Sequence, residues 1–179
     1  MTEPQPIIAF QGEPGAYSEQ AIHEHFGSKS ATLPCRTFSE MFAAVHNGRA
    51  TQIMLPVENS LAGMVIPAYD MLVDHDLRVQ AEVIVRVEHC LMAPMGTLIN
   101  EVTHVMSHHQ ALAQCENNIK RQGLIPVDHY DTAGAARDLA NNPKPGLAAI
   151  ASALAAETYN LEILSQNFED MDFNFTRFF

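Results

Sequence analysis

The side chains best placed for chemistry lie in four short stretches: ENS from Glu58, SHHQ from Ser107, DTAG from Asp131, and the closing DFNFTRFF. In the last of these, Thr176 and Arg177 stand among Phe173, Phe175, Phe178 and Phe179, a run whose composition asks for burial. Chain ends are usually polar, because a few terminal residues seldom bury enough surface to offset their ordering entropy. Strand alternation would place Phe175, Arg177 and Phe179 on one face and Thr176 and Phe178 on the other. An arginine carried inside needs an anion, from the protein or from a ligand. Glu58 and Asn59 follow the apolar run MLPV, where a strand should empty into a crevice. A carboxylate there could position a polar substrate, or could cap the next helix. Ser107, Gln110 and Gln114 offer donors to a ligand oxygen, with a solvated helix face as the plainer reading.

Other chemistries lack their partners. QGEPGAYS has no lysine after its final glycine, so it is not a phosphate loop, and it is not a dinucleotide fingerprint. His104, His108 and His109 cluster in sequence, as do His23 and His25, but no cysteine or carboxylate pattern completes a metal site and no HExxH occurs. Surface or turn histidines are the plainer reading. Cys35, Cys90 and Cys115 are odd in number and widely spaced, which suits reduced thiols in a cytoplasmic protein. The formal charge of -11 arises from 21 acidic and 10 basic residues, the latter scattered singly. Nucleic acid is not expected as a partner, because binding phosphates needs a basic patch. MTEPQPIIAFQG has no basic n-region, so no signal peptide is expected, and no stretch approaches the roughly 18 apolar residues of a membrane span.

The elements that must hold these residues alternate between short apolar runs and helical periodicity. Ile7–Phe10 reads as a strand, with Ser18 as N-cap of a helix burying Ala21, Ile22 and Phe26. A strand near Leu33–Thr37 precedes a helix capped by Ser39 with Met41, Phe42 and Val45 on one face. QIMLPV reads as one strand running into ENSLAGM, and a helix follows near Ile66–Val73. From Val79 to Glu88 apolar and polar residues alternate, predicting one long strand that could carry the chain from one lobe to another. THVMS predicts a strand, and Ala111, Leu112, Cys115 and Ile119 one helix. Further strands are expected at IPVDHY, LAAIAS, LEILSQN and NFTRFF, with helices after DTAG and at ALAAETY. This alternation implies an α/β fold with largely parallel sheets, whose ligands sit at the carboxyl ends of strands. Helix N-termini at GEPGAYS, ENSLAG, SHHQ and DTAG could offer N–H donors to an anion.

AFQGEPGAYSEQA, LPVENSLAGMV, VMSHHQALAQC, DTAGAAR, AAIAS and NFTRFF, in this order and over nearly the entire chain, resemble the motifs of the prephenate dehydratase catalytic domain. The resemblance implies two α/β lobes with a cleft between them, similar to type II periplasmic-binding proteins. It implies lobe 1 at residues 1–78 with 166–179 and lobe 2 at 79–165. It implies loss of carbon dioxide and water from prephenate to give phenylpyruvate, in phenylalanine biosynthesis, by a homodimer that needs no cofactor and no metal. Carried over by motif, Thr176 is the catalytic residue. Arg177, Phe178, Glu58, Asn59, Ser107, Gln114, Thr132 and Ala133 bind substrate, Arg177 through a carboxylate, with an internal acid such as Glu58 as the alternative partner of Arg177. No segment resembles the family's ACT regulatory domain. Arogenate as substrate, and a non-catalytic two-lobed ligand-binding domain, are the alternatives.

Overall fold

The computed structural model describes residues 6–179, so the first five residues, on which the signal-peptide reading partly rests, lie outside it. The chain divides into two units, one comprising the residues up to Glu13 with Tyr17–Arg86 and Phe173–Phe179, the other Pro14–Ala16 with Val87–Asp172. Residues 79–86 thus belong with the first unit and 166–172 with the second, opposite to the boundaries expected from the sequence. The reasons are local. Strand pairing holds 83–86 in the first unit's sheet, and Phe168 is buried in the second unit's core.

The first unit begins with β1 (Ile7–Gln11), α1 (Tyr17–Phe26), β2 (Ala31–Cys35), α2 (Phe38–His46) and β3 (Gln52–Met54). It continues through β4 (Pro56–Asn59), β5 (Gly63–Met64), α3 (Ile66–Asp74) and β6 (Val83–Arg86). The second unit holds β7 (Cys90–Ala93), β8 (His104–His108), α4 (His109–Gln114), α5 (Glu116–Arg121), β9 (Ile125–His129), α6 (Thr132–Asn141), β10 (Leu147–Ala151), α7 (Ala153–Tyr159) and β11 (Glu162–Ser165). The chain then returns to the first unit for β12 (Phe175–Phe178).

In the first unit β2, β1 and β3 form a parallel sheet, while β5, β4, β12 and β6 form an antiparallel one in that order. Met41, Phe42, Leu55, Val57 and Ala68 are core residues here, with Phe179 packed against them. In the second unit the order is β11-β7-β10-β8-β9, parallel only across β10, β8 and β9. Leu91, Val105, Ile119, Ile150 and Phe168 lie in its core. Parallel pairing is therefore confined to part of the molecule, because the strands that return at β7, β11 and β12 run against their neighbours. No described helix is long and apolar enough to cross a membrane.

Several local expectations are corrected. Ser18 lies inside α1 and is buried, so it is not the cap. α2 is capped by Thr37, whose side chain accepts from the Glu40 N–H, and Ser39 is inside the helix. QIMLPV is two strands, broken at Leu55, whose N–H and C=O exchange hydrogen bonds of 2.9 Å with Phe179. The helix expected over 111–119 is two, turning at buried Cys115 with φ -116 and ψ 13. The long strand expected over 79–88 pairs only at 83–86, and β7 follows it.

Cys35, Cys90 and Cys115 are free and buried. Burial, reinforced by nearby carboxylates, pushes the thiol of Cys90 up to about 11 and that of Cys115 up as well. The thiolate is the reactive form, so an aromatic disulfide reagent at pH 8 is expected to leave all three thiols unlabelled in the native protein and to label them in denaturant. Rapid native labelling would contradict this.

Candidate active site

The first unit brings together five of the nominated residues through strand register. β12 lies between β4 and β6, which sets Thr176 opposite Asn59 and Val85, and Arg177 opposite Glu58 and Ile84. Directly opposed residues in an antiparallel pair have Cα atoms about 4.5–5.5 Å apart, so their side chains meet.

Asn59 sits where β4 turns into β5, and its side chain organises both the turn and the threonine. Its Oδ1 accepts the N–H groups of Leu61 (3.0 Å) and Ala62 (2.9 Å), a short-range bonding pattern that suits asparagine to turns. Two backbone donors can be met only by oxygen, so the orientation of the amide follows from the network. Its Nδ2 then donates to Thr176 Oγ1 (3.0 Å), Asn174 Oδ1 (2.8 Å) and the Phe175 carbonyl (3.1 Å). Thr176 therefore accepts from Asn59, and no described residue takes the threonine's own proton. A hydroxyl that accepts one hydrogen bond is polarised into a better donor for another.

Arg177 has its anion within the unit. Nη1 lies 3.4 Å from Glu58 Oε2 and Nε 3.3 Å from Glu82 Oε1, with the arginine side chain 41% exposed. Arg177 makes two half-exposed ion contacts and is not a buried cation. Phe178 is fully buried, between Pro56 and Val83 in register. A cavity of about 520 Å³ in this unit, lined by Ile53, Leu55, Leu72, Leu77, Val83 and Phe179 among others, has none of the nominated residues in its lining.

The second unit holds the other four. Ser107 is completely buried on β8, and its hydroxyl donates to the Ile150 carbonyl of β10 at 2.6 Å. Gln114 ends α4, where its Oε1 lies 2.8 Å from Nε2 of His89. Thr132 and Ala133 begin α6, whose N-cap Asp131 takes the Gly134 N–H at 2.6 Å. The first-turn N–H groups of a helix lack intrahelical partners, so those of Thr132 and Ala133 face outward from the helix start. Arg137 braces the same turn, donating to Tyr130 Oη (2.9 Å) and Asp138, which His129 also meets. Burial pulls the Asp138 carboxyl up, but hydrogen bonds and charge from Arg137 and His129 carry it below its ordinary value overall. Among the described residues no group of three or more side chains could hold a metal ion.

Two residues of these networks escaped the sequence reading. Asn174 is 1% exposed and immediately precedes β12, its Oδ1 accepting from the Asn59 amide that also meets Thr176. His89 is 2% exposed, a polar residue at the entry to the wholly buried β7. In both cases the available signal was a polar residue directly before an apolar strand, Cys90–Ala93 for His89 and Phe175–Phe178 for Asn174.

A family model described as prephenate dehydratase matches residues 8–179. The chain is 42% identical over 171 residues to arogenate dehydratase 2 of Petunia hybrida, covering 96% of this chain and 43% of that one. It is 45% identical over 173 residues to a bifunctional N-acyl-homoserine lactone acylase/prephenate dehydratase of Komagataeibacter europaeus, covering 97% and 61%. The solved structure of prephenate dehydratase in complex with L-Phe from Arthrobacter aurescens superposes with a TM-score of 0.87 at 26% identity, over 96% of this chain and 58% of that one. The chain thus spans about half the length of the curated relatives it matches.

Proposed function

Because the chain belongs to the prephenate dehydratase family, we propose that it removes the ring carboxylate of prephenate as carbon dioxide and its C4 hydroxyl as water, leaving phenylpyruvate. Aromatisation drives the step. The electron pair of the breaking carbon–carboxylate bond enters the ring as the C4–O bond breaks, and the departing oxygen takes up one proton. The protein's task is to hold the dienyl ring and stabilise that oxygen.

Thr176 is assigned as the donor to the leaving oxygen. The observation that carries the reading is the Asn59 amide, oriented by two backbone N–H groups and donating to Thr176 Oγ1, which turns the threonine proton toward another acceptor. Asn59 acts through Thr176 as a positioning residue. A threonine hydroxyl is too weak an acid to surrender its proton unaided, so Thr176 stabilises by a preorganised hydrogen bond and the net proton arrives through water.

Arg177 and Glu58 are assigned to holding β12 against β4, since each already has an opposite charge at hand. Phe178, buried and opposite Pro56 and Val83, helps to anchor β12 in its sheet. In the second unit, the N–H groups of Thr132 and Ala133 at the start of α6 suit a substrate carboxylate, where the helix dipole favours negative charge. The carboxylate they suit is the pyruvyl one, which keeps its charge through the reaction. Gln114 contributes an amide donor, and Ser107, its proton given to Ile150, meets substrate only as an acceptor.

Arogenate is the second reading, supported by the name of the petunia relative. The two substrates differ by an amino group in place of the keto oxygen. The test offers both in competition to the purified protein and separates phenylpyruvate from phenylalanine. Phenylpyruvate as the main product is expected; phenylalanine alone would transfer the assignment to arogenate, and neither product would overturn it. A homodimer in the cytoplasm is part of the proposal, the buried thiols suiting a reducing compartment; sedimentation reads the assembly.

A further inference from the structure

We propose that His89 is a positioning residue for Gln114, holding the side-chain carbonyl of that glutamine so that its NH2 end is the one presented to substrate. The inference rests on the reading of Gln114 as a substrate contact.

His89 lies between β6 and β7 and is 2% exposed, with Nε2 at 2.8 Å from Gln114 Oε1. Both residues are pinned by one short segment. The Phe168 N–H donates to the His89 carbonyl at 2.8 Å, and the His89 N–H to Glu169 Oε2 at 2.7 Å. The Asp170 N–H donates to the Gln114 carbonyl at 2.8 Å. The Asp170 carboxylate accepts the N–H groups of Asn117 (2.9 Å) and Asn118 (3.1 Å) at the start of α5. The backbone at both ends of the imidazole–amide contact is therefore fixed by hydrogen bonds between chain segments distant in sequence.

A buried imidazole at such a place resists charging. Burial lowers the pKa of His89, against smaller raising effects from Gln114 and Glu169. A neutral imidazole has one N–H and one lone pair. With the proton on Nε2, the ring donates to Gln114 Oε1 and fixes which end of the amide faces it. Glutamine has flexible χ angles and an amide whose two ends are nearly the same shape. The imidazole removes that ambiguity, which is what an oriented donor requires.

Glutamine and asparagine at position 89 separate positioning from packing. A glutamine amide nitrogen reaches the place of Nε2, whereas that of asparagine reaches only the place of Nδ1. The experiment measures kcat and KM for prephenate in the wild type, Gln114→Ala, His89→Gln, His89→Asn and the Gln114→Ala/His89→Asn double variant, with thermal unfolding alongside. Expected are a kcat within severalfold of wild type for His89→Gln and a loss of about tenfold to a hundredfold for His89→Asn. In the Gln114→Ala background His89→Asn should cost less than about twofold, because the group it positions is gone. Equal kcat for the two position-89 variants, or the same loss for His89→Asn in both backgrounds, would overturn the proposal in favour of a packing role. Full activity of Gln114→Ala would remove the reading of Gln114 together with this inference. Loss in Gln114→Ala with wild-type kcat in His89→Asn would remove the inference alone.

Discussion

Thr176→Val is expected to lower kcat/KM for prephenate by about 10²- to 10³-fold, the usual consequence of deleting one preorganised donor to a developing oxyanion. Valine keeps the volume and the β-branching, so β12 should still pair with β4 and β6. The Asn59 amide would keep its bonds to Asn174 and Phe175 while losing the one to Thr176. The stability cost should stay near about 1–2 kcal/mol, the price of one missing hydrogen bond partner. Thr176→Ser, which keeps the hydroxyl, should hold activity within about tenfold. Steady-state kinetics with circular dichroism on each variant checks the prediction. Undiminished turnover in Thr176→Val would dismiss the threonine as the donor.

Gly15→Ala is expected to have the largest effect on folding. Gly15 has φ +88, and an added Cβ would come 2.6 Å from the Ala155 Cα and 2.9 Å from its Cβ, both in α7. Neither is the movable end of a flexible side chain. The turn is also tied to α7 by Ser152 Oγ, donating to the Gly15 carbonyl at 2.5 Å, and by Tyr159 Oη, donating to the Pro14 carbonyl at 2.8 Å. It cannot lift away without breaking these bonds. Left-handed backbone strain of about 1–2 kcal/mol adds to an overpacking cost of about 1–3 kcal/mol. The sum is a large part of the roughly 5–15 kcal/mol that stabilises a typical domain. Gly27 is the control, with φ +97 but nothing within 4 Å of an added Cβ. Gly27→Ala should show the backbone strain alone. Chemical denaturation of the two variants should rank them in that order, and an equal midpoint shift would remove the clash as the cause.

The sequence carried the element types further than the pairings. LAAIAS and ALAAETY appear at Leu147–Ala151 and Ala153–Tyr159, because uninterrupted small apolar residues and a serine cap define both locally. The 79–88 alternation misled, since period two reports an extended backbone and not whether a partner strand lies beside it. Antiparallel returns at β7, β11 and β12 could not be read from composition, as they depend on where distant strands dock. At the candidate site, the need of Arg177 for an anion was legible from charge. Glu58 was one candidate for that anion, but that Glu82 shares it was not legible, because the contact depends on where the segment before β6 docks. Likewise Asn174 and His89 owe their importance to partners 115 and 25 residues away. Thr176 emerged from its motif, while its polarisation by Asn59 required the fold.

The most direct test of the account is turnover of prephenate by the purified 179-residue chain, wild type and Thr176→Val side by side, followed by the absorbance of phenylpyruvate in alkali. Phenylpyruvate formed by the wild type and nearly abolished in the folded Thr176→Val variant is the predicted result. A folded wild-type protein that binds prephenate without converting it, or equal rates for the two, would contradict the account.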